Sequence, residues 1–129
     1  MKAPYTHRKL TEVEDSAPEL GMDEFQESRF ANEDFEAEQT GFTHHRFKAD
    51  KRQGFGHAHH QAEEVYVILA GSGRMKLDDE VIEVEPLDAI RVAPGVMHAW
   101  EARSEGMEVL AFGPRVEDDA DFVQNWWTD

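Results

Sequence analysis

Residues 54–73 read GFGHAHHQAEEVYVILAGSG, a stretch that places two histidines and an acidic pair before a β-prone run. His57 and His59 are two residues apart, so on a β-strand their side chains project from one face, about 6.5–7 Å apart at Cα. The alternating run that begins at Val65 could return antiparallel and bring Glu63 or Glu64 beside the two imidazoles. This spacing indicates a metal site made of nitrogen and oxygen ligands.

A third histidine follows about 30 residues later, in the segment LDAIRVAPGVMH that ends at His98. His98 comes directly after a Pro-Gly turn and begins another β-prone run. Alternation along the strands then predicts which neighbours share its side of the sheet. If Glu64 points inward, so do Tyr66 and Ile68, and if His98 points inward, so does Trp100.

Other histidines near this stretch have a different expected placement. His60 has the opposite strand parity to His59, so we expect it outside the site. His44 and His45 lie together on an early β-prone run, where one of them could face the interior and a structural role is the simpler interpretation.

The rest of the chain from Gly41 onward repeats one pattern, in which short β-prone runs alternate with Gly, Pro and Asp turn signals. The predicted strands are Thr43–Lys48, Val65–Ala70, Arg74–Leu77, Val81–Val84, Ala89–Val92, His98–Ala102 and Glu108–Phe112. Many short strands at this spacing predict an all-β sandwich or barrel, with no room for the alternating helices of an α/β sheet.

The two ends of the chain differ from this pattern because they are polar and acid-rich. Residues 1–40 are predicted to form an N-terminal arm that packs on the barrel, with a short, weak helix over Asp23–Asp34. Residues 114–129 are predicted to form an acidic tail. Its adjacent Trp126 and Trp127 indicate docking, either on the barrel or on a partner subunit.

The two histidine-containing segments together resemble the two sequence motifs of the cupin superfamily, over about residues 41–113. In the first motif, His-x-His is followed after three or four residues by Glu and then, after six more, by Gly. The gaps from His59 to Glu64 and from Glu64 to Gly71 fit this pattern, and Glu63 fits it less well. Leu87 stands where the second motif has Gly, a departure that affects a turn and not a candidate ligand.

The resemblance is to small single-domain cupins, and it implies a double-stranded β-helix (jelly-roll) barrel over residues 41–113, often as a homodimer. It also implies a divalent metal ion inside the barrel. The implied ligands are His57, His59, Glu64 and His98. Three imidazoles and a carboxylate suit Fe, Mn, Ni, Zn, Co or Cu, and an octahedral ion would keep two positions open for water or substrate.

Relatives with this ligand set include dioxygenases, isomerases and decarboxylases that act on small oxygen-rich molecules. The alternative is a cupin that binds or senses a small ligand without catalysis. For catalysis, Tyr66 and Glu63 are candidates for proton transfer. For the substrate pocket, Ile68, Trp100 and Arg91 are candidates.

Composition narrows the possible partners. The chain has 129 residues, a length typical of one domain, and a net charge of -15 from 28 acidic and 13 basic residues. Such a field repels phosphates, so a nucleic-acid partner is not expected. With no cysteine, thiolate metal sites are excluded.

No secretory signal or membrane-length apolar run is found, so a cytoplasmic protein with a small-molecule ligand is expected. The acidity also suggests the hypothesis of adaptation to high salt.

Overall fold

The computed structural model describes residues 3–129, and within this range it is built almost entirely of β-strands, as predicted. A 3₁₀ helix, Leu10–Glu12, precedes the sheet. The strands are β1 (Gln26–Phe30), β2 (Thr40–Phe47), β3 (Phe55–His59), β4 (Glu64–Leu77), β5 (Glu80–Val84), β6 (Ala89–Val92), β7 (His98–Pro114) and β8 (Ala120–Gln124). None of the helices in residues 3–129 is long and apolar enough to cross a membrane.

Strand β7 organises the sheet because it pairs antiparallel with β2, β3 and β4. One path through the sheet runs β1-β2-β7-β3-β8, and β4 also pairs with β5 and β6. The sheet therefore curls around on itself and forms the jelly-roll barrel that the resemblance implies. The segments outside residues 41–113 each add a strand, β1 before the barrel motifs and β8 after them.

Two strands are much longer than the sequence predicts. Val65–Ala70 and Arg74–Leu77 form the single strand β4, and His98–Ala102 and Glu108–Phe112 both belong to β7. The glycines between them bend the strands without ending them. Gly71 has a φ of 75°, and a Cβ there would lie 2.1 Å from the backbone oxygen of Gly106. The register between β4 and β7 shifts on either side of this bend, as expected of a β-bulge.

The main core lies between β4 and β7. Tyr66, Ile68, Met75, Trp100 and Val109 are each at most 2% exposed and belong to one apolar cluster. Their positions follow the strand alternation that the sequence predicted for Tyr66, Ile68 and Trp100. Burying a side chain of this size contributes about 1.5–3 kcal/mol, so this cluster holds the barrel in a fixed shape around the site.

The prediction of a helix over Asp23–Asp34 is wrong, because residues 26–30 form β1 and pair with residues 43–47 of β2. The inward positions of β1 carry Gln26 and Ser28, which are polar and nevertheless 1% and 0% exposed. A strand whose buried side chains are polar lacks the apolar alternation by which a sequence reveals a strand.

Of the two docking places that the sequence left open for the C-terminal tryptophans, the structure shows the barrel. Trp127 Nε1 donates to the backbone oxygen of Gln53 over 2.9 Å, and the Arg52 guanidinium lies 4.2 Å from the Trp127 ring centroid. Lys76 Nζ lies 4.1 Å from the Trp126 ring centroid. Cation–π contacts of this kind anchor the tail against β4 and the segment that precedes β3.

Candidate metal centre and ligand cavity

The structure contains a cavity of about 680 Å³ with aromatic walls and a polar cluster. Its aromatic side chains are Phe25, Phe30, Phe55, Tyr66, Trp100 and Phe122. Its polar side chains include Gln26, His45, Gln53, His57, His59 and Glu64. A concave site that is mostly apolar, with a few convergent polar groups, is typical of a small-molecule site.

The three histidines singled out in the sequence come together. His57 of β3 pairs with His98 at the start of β7, and their ring centroids are 4.2 Å apart. The His59 ring lies 5.3 Å from that of His57 and 6.4 Å from that of His98. Parity along β3 places His57 and His59 on one side of the strand, and the β3–β7 pairing supplies the third imidazole.

Of the acidic pair, Glu64 is the residue that lies beside the imidazoles. Its Oε1 lies 2.5 Å from His59 Nε2. Burial raises the pKa of the Glu64 carboxyl, but the contact with His59 outweighs burial and lowers the pKa overall. The contact with Glu64 in turn raises the pKa of His59. Glu64 is therefore an ionised carboxylate beside the imidazoles at neutral pH.

Tyr66 and the backbone together fix the proton on His98. His98 Nδ1 lies 3.0 Å from the backbone oxygen of Val96, so this nitrogen carries the hydrogen and donates it. His98 Nε2 then has a free lone pair, which accepts a hydrogen bond from the Tyr66 hydroxyl over 2.7 Å. A backbone bond at one ring nitrogen that leaves the other bare is the usual arrangement of a metal-binding histidine.

Burial keeps the other imidazoles of the cluster neutral. It lowers the pKa of His57 well below its usual range, and the charges of His98 and His59 lower it further. Burial also lowers the pKa of His98, partly offset by the hydrogen bond to Val96. Neutral imidazoles beside a carboxylate offer lone pairs and one negative charge, which is the combination that attracts a divalent cation.

The chemistry of the donor set fits a metal ion, because several of its ring nitrogens are buried without a hydrogen-bond partner. His57 Nδ1, His59 Nδ1 and His59 Nε2 are buried without an aligned hydrogen bond. A buried polar atom without a partner costs about 1–3 kcal/mol, and a bound ion or water would relieve that cost. Within residues 3–129, no group of three or more His, Asp or Glu side chains is already arranged around one point as metal ligands are.

The remaining sequence candidates lie in different places. Trp100 lines the cavity, whereas Ile68 is fully buried in the core cluster and is not among the lining residues. Glu63 and Arg91 are exposed and form an ion pair of 3.2 Å with each other, so the structure does not bring them to the cavity. The physical reason for Glu63 is parity, because it precedes Glu64 and projects to the opposite side.

Other cavity residues were not singled out in the sequence. His45 lines the cavity, and its Nδ1 lies 2.8 Å from Ser28 Oγ. From the tail, Phe122 forms a wall, and Asp119 accepts hydrogen bonds from the backbone N–H groups of Gln61 and Ala62. These residues carry no local motif. For His45, the sequence offered one signal: on the first predicted strand, alternation places either His44 or His45 on the inner side.

Comparison with known sequences gives two matches. A family model described as "Cupin domain" matches residues 43–113. An uncharacterized protein of Methanocaldococcus jannaschii is 44% identical over 45 residues, which cover 35% of this chain and 36% of that protein. The chain thus spans about a third of the length of this curated relative.

Comparison with solved structures finds similar folds along nearly the whole chain. A cupin protein from Bacteroides fragilis has a TM-score of 0.72 and 19% identity, covering 99% of this chain and 98% of that one. The polyketide cyclase RemF from Streptomyces resistomycificus has a TM-score of 0.74 and 17% identity, covering 96% of this chain and 87% of that one. At these identities the likeness concerns the fold. Together with the family match, it establishes that this chain belongs to the cupin family.

Proposed function

We propose that this cupin is a metal-dependent enzyme of the dioxygenase, isomerase or decarboxylase type, acting on a small oxygen-rich organic molecule. The observation that carries the proposal is the proximity of His57, His59, Glu64 and His98 to one another beside the aromatic cavity. Imidazole and carboxylate donors select divalent ions such as Fe, Mn, Ni, Zn, Co or Cu. Such an ion supplies Lewis acidity toward a carbonyl or enolate oxygen, or a binding position for dioxygen.

The protein's own groups would handle the proton. Burial raises the pKa of the Tyr66 phenol well above its usual range, and the neighbouring Glu64 carboxylate raises it further. Tyr66 is therefore protonated at neutral pH and acts as a proton donor and not as a base. Its hydroxyl donates a hydrogen bond of 2.7 Å to His98 Nε2, the lone pair that an ion would take, so ion binding would release the hydroxyl to face a substrate.

The cavity walls would orient the substrate and exclude water. Phe55 and Phe122 pack together at 5.7 Å between ring centroids, and Trp100 contacts Tyr66 at 5.4 Å. A surface of this kind favours a flat organic molecule whose oxygen atoms face the polar cluster. Sequence-predicted Arg91 and Glu63 have no part in this proposal because they face solvent as an ion pair.

The alternative function is that of a cupin that binds or senses a small ligand without catalysis. One observation favours it: among the described residues, no group of three or more His, Asp or Glu side chains surrounds a common point. A ligand with hydrogen-bonding oxygens could then take the place of an ion. Metal content and turnover separate the two functions.

The first experiment measures metal bound by untagged protein, with His59→Ala as the test variant and His60→Ala as its matched control. His60 is the next residue, but it is 57% exposed and pairs with Asp121. We expect about one ion per chain in the wild type and in His60→Ala, and loss of the ion in His59→Ala, because a ligand is removed. Stoichiometric metal in His59→Ala would refute the ligand assignment.

Turnover is then tested on metal-loaded protein, by oxygen consumption and product analysis with catechol, flavonol, keto-acid and sugar candidates. Turnover by the wild type that is lost together with the metal in His59→Ala supports the proposed enzymatic function. A filled site that converts none of these candidates favours the binding function, as does a wild type that takes up no metal from any of the six ions.

We also propose a homodimer. Apolar side chains on the outer side of neighbouring strands support it, since Leu69 of β4 is 41% exposed and Phe112 of β7 is 38% exposed. Exposed apolar groups on adjacent strands are typical of an interaction surface. The cytoplasmic location stays a prediction from the sequence.

A further inference from the structure

A chain of hydrogen bonds runs through the buried wall of the cavity and ends at His45. In order, Trp100 N donates to Gln53 Oε1 (3.1 Å), Gln53 Nε2 to Gln26 Oε1 (2.8 Å), Gln26 Nε2 to Ser28 Oγ (2.6 Å), and Ser28 Oγ contacts His45 Nδ1 (2.8 Å). The three intermediate side chains are between 0% and 4% exposed. Neither the sequence motifs nor the proposed metal centre account for this chain.

The donor and the acceptor of each hydrogen bond in this series follow from the first hydrogen bond. The backbone N–H of Trp100 can only donate, so it requires the amide oxygen of Gln53. The amide nitrogen of Gln53 must then face Gln26 and find its oxygen, which turns the Gln26 amide nitrogen toward Ser28. The network thus assigns both amide orientations without ambiguity.

The last bond fixes the tautomer of His45. Ser28 Oγ already accepts from Gln26, and within residues 3–129 the one acceptor that its own hydrogen reaches is His45 Nδ1. Nδ1 is therefore bare, and a neutral ring with a bare Nδ1 carries its proton on Nε2. The ring is neutral because burial lowers the pKa of His45 to about 4.

The ring of His45 is also held in place. It stacks on Phe47 at 5.6 Å between centroids and meets Phe30 edge-on at 6.3 Å. His45 lines the cavity, and Nδ1 is occupied by Ser28. The Nε2–H group is thus the polar group that this side chain has available for a cavity ligand, and an N–H donor of this kind recognises an acceptor oxygen.

We propose that His45 is a ligand-contacting residue whose Nε2–H donates a hydrogen bond to a carbonyl or other acceptor oxygen of an aromatic molecule bound in the cavity. Ser28, Gln26 and Gln53 are positioning residues that set its tautomer. The inference rests on the proposed function, which places the substrate in this cavity. It goes further by naming the substrate class, an aromatic molecule with an acceptor oxygen.

The first test reads the tautomer directly, by nitrogen NMR of metal-free protein labelled at its histidine rings, with His45→Gln used to assign the signals. We expect His45 at about pH 7 to be neutral with its proton on Nε2. In Ser28→Ala, the loss of the donor to Nδ1 should shift the ring toward a mixture of tautomers. A charged ring or an Nδ1 proton in the wild type would overturn the proposal, whatever the folding of the variant.

The second test measures ligand affinity by NMR titration with a matched pair of probes, 1-tetralone and tetralin, which differ by one carbonyl oxygen. His45→Phe keeps a ring and removes the donor, and His45→Gln keeps an N–H donor. We expect His45→Phe to bind 1-tetralone about tenfold more weakly than the wild type, with tetralin unchanged and His45→Gln close to the wild type. Equal affinity of His45→Phe and the wild type for 1-tetralone would overturn the proposal.

Both tests are independent of the metal. If the protein takes up no ion but His45 still discriminates between the two probes, the metal-dependent function fails and the role of His45 stands. If metal binds and His45→Phe binds both probes with the affinity of the wild type, the proposed role of His45 fails and the metal centre stands.

Discussion

Three pairs of sequence neighbours divide between the cavity and the rest of the molecule: His45 and His44, His59 and His60, and Glu64 and Glu63. The first member of each pair lines the cavity. The second is paired in turn with Glu108, Asp121 and Arg91, away from the cavity. The residue types are the same and the positions differ by one, so strand parity decides which histidine or glutamate takes part in the site.

The largest effect is expected from the acidic pair. Glu64→Gln removes the carboxylate beside His59 and should weaken metal binding by at least about 100-fold, since it removes a proposed ligand and not a supporting group, whose loss costs about 10–100-fold. Glu63→Gln removes an exposed ion pair and should change metal affinity by less than about twofold. Metal-titration calorimetry on both variants measures the difference. If both variants lost metal affinity equally, the assignment of Glu64 and not Glu63 to the metal site would be contradicted.

A smaller effect is expected on the pH dependence of stability in the metal-free protein. The pKa of His45 is about 4 when folded, below its usual value of 6.5. The unfolded chain therefore binds this proton first, and stability that is fully present above about pH 6.5 is lost as the pH falls toward about 4. The loss from His45 is on the order of 3 kcal/mol.

This expectation is checked with His45→Gln, and with His60→Gln as the control, by urea unfolding at about pH 7 and about pH 4.5. His45→Gln should lose less stability than the wild type on acidification, because the titrating ring is gone. His60→Gln should follow the wild type, since its ring is exposed. Removal of His45 also removes its effect on His57, which acts in the same direction, so an unchanged acid loss in His45→Gln would contradict the assigned burial effect.

The smallest effect concerns the outer side of the same strands. Leu69→Glu places a charge among the exposed apolar groups of β4 and β7 and should weaken the proposed dimer at least about tenfold, given the roughly 1.5–3 kcal/mol that burying such a side chain contributes. Metal content should not change. Analytical ultracentrifugation gives the result, with Val81→Glu on β5 as an exposed control. A monomeric wild type would contradict the dimer.

Much of the site could be predicted because its information is local. The spacing of His57 and His59 sets their common face, and the alternation from Glu64 sets that of Tyr66. His98 needed one further fact, that a Pro-Gly turn begins the strand which returns beside β3. The all-β class followed from the same alternation, repeated between turn signals, and it is confirmed.

The parts that could not be predicted are those where the residues that the site needs depart from the usual sequence pattern of a strand. β1 presents Gln26 and Ser28 to the interior, so the apolar alternation that identifies a strand is missing there. The cavity role of His45 depends on contacts with residues of other strands, which parity alone does not reveal. Glycines were interpreted as strand ends, although Gly71 bends β4 and lets its backbone approach that of β7 closely.

The position of β8 has a consequence for how the molecule is made. β8 supplies Ala120, Phe122 and Gln124 to the cavity wall, and it follows every other strand in the chain. During synthesis the imidazoles of β3 therefore lack the cover of β8 until that strand has been translated. The pocket thus lacks one side until β8 emerges, and ligand capture has to wait for that strand.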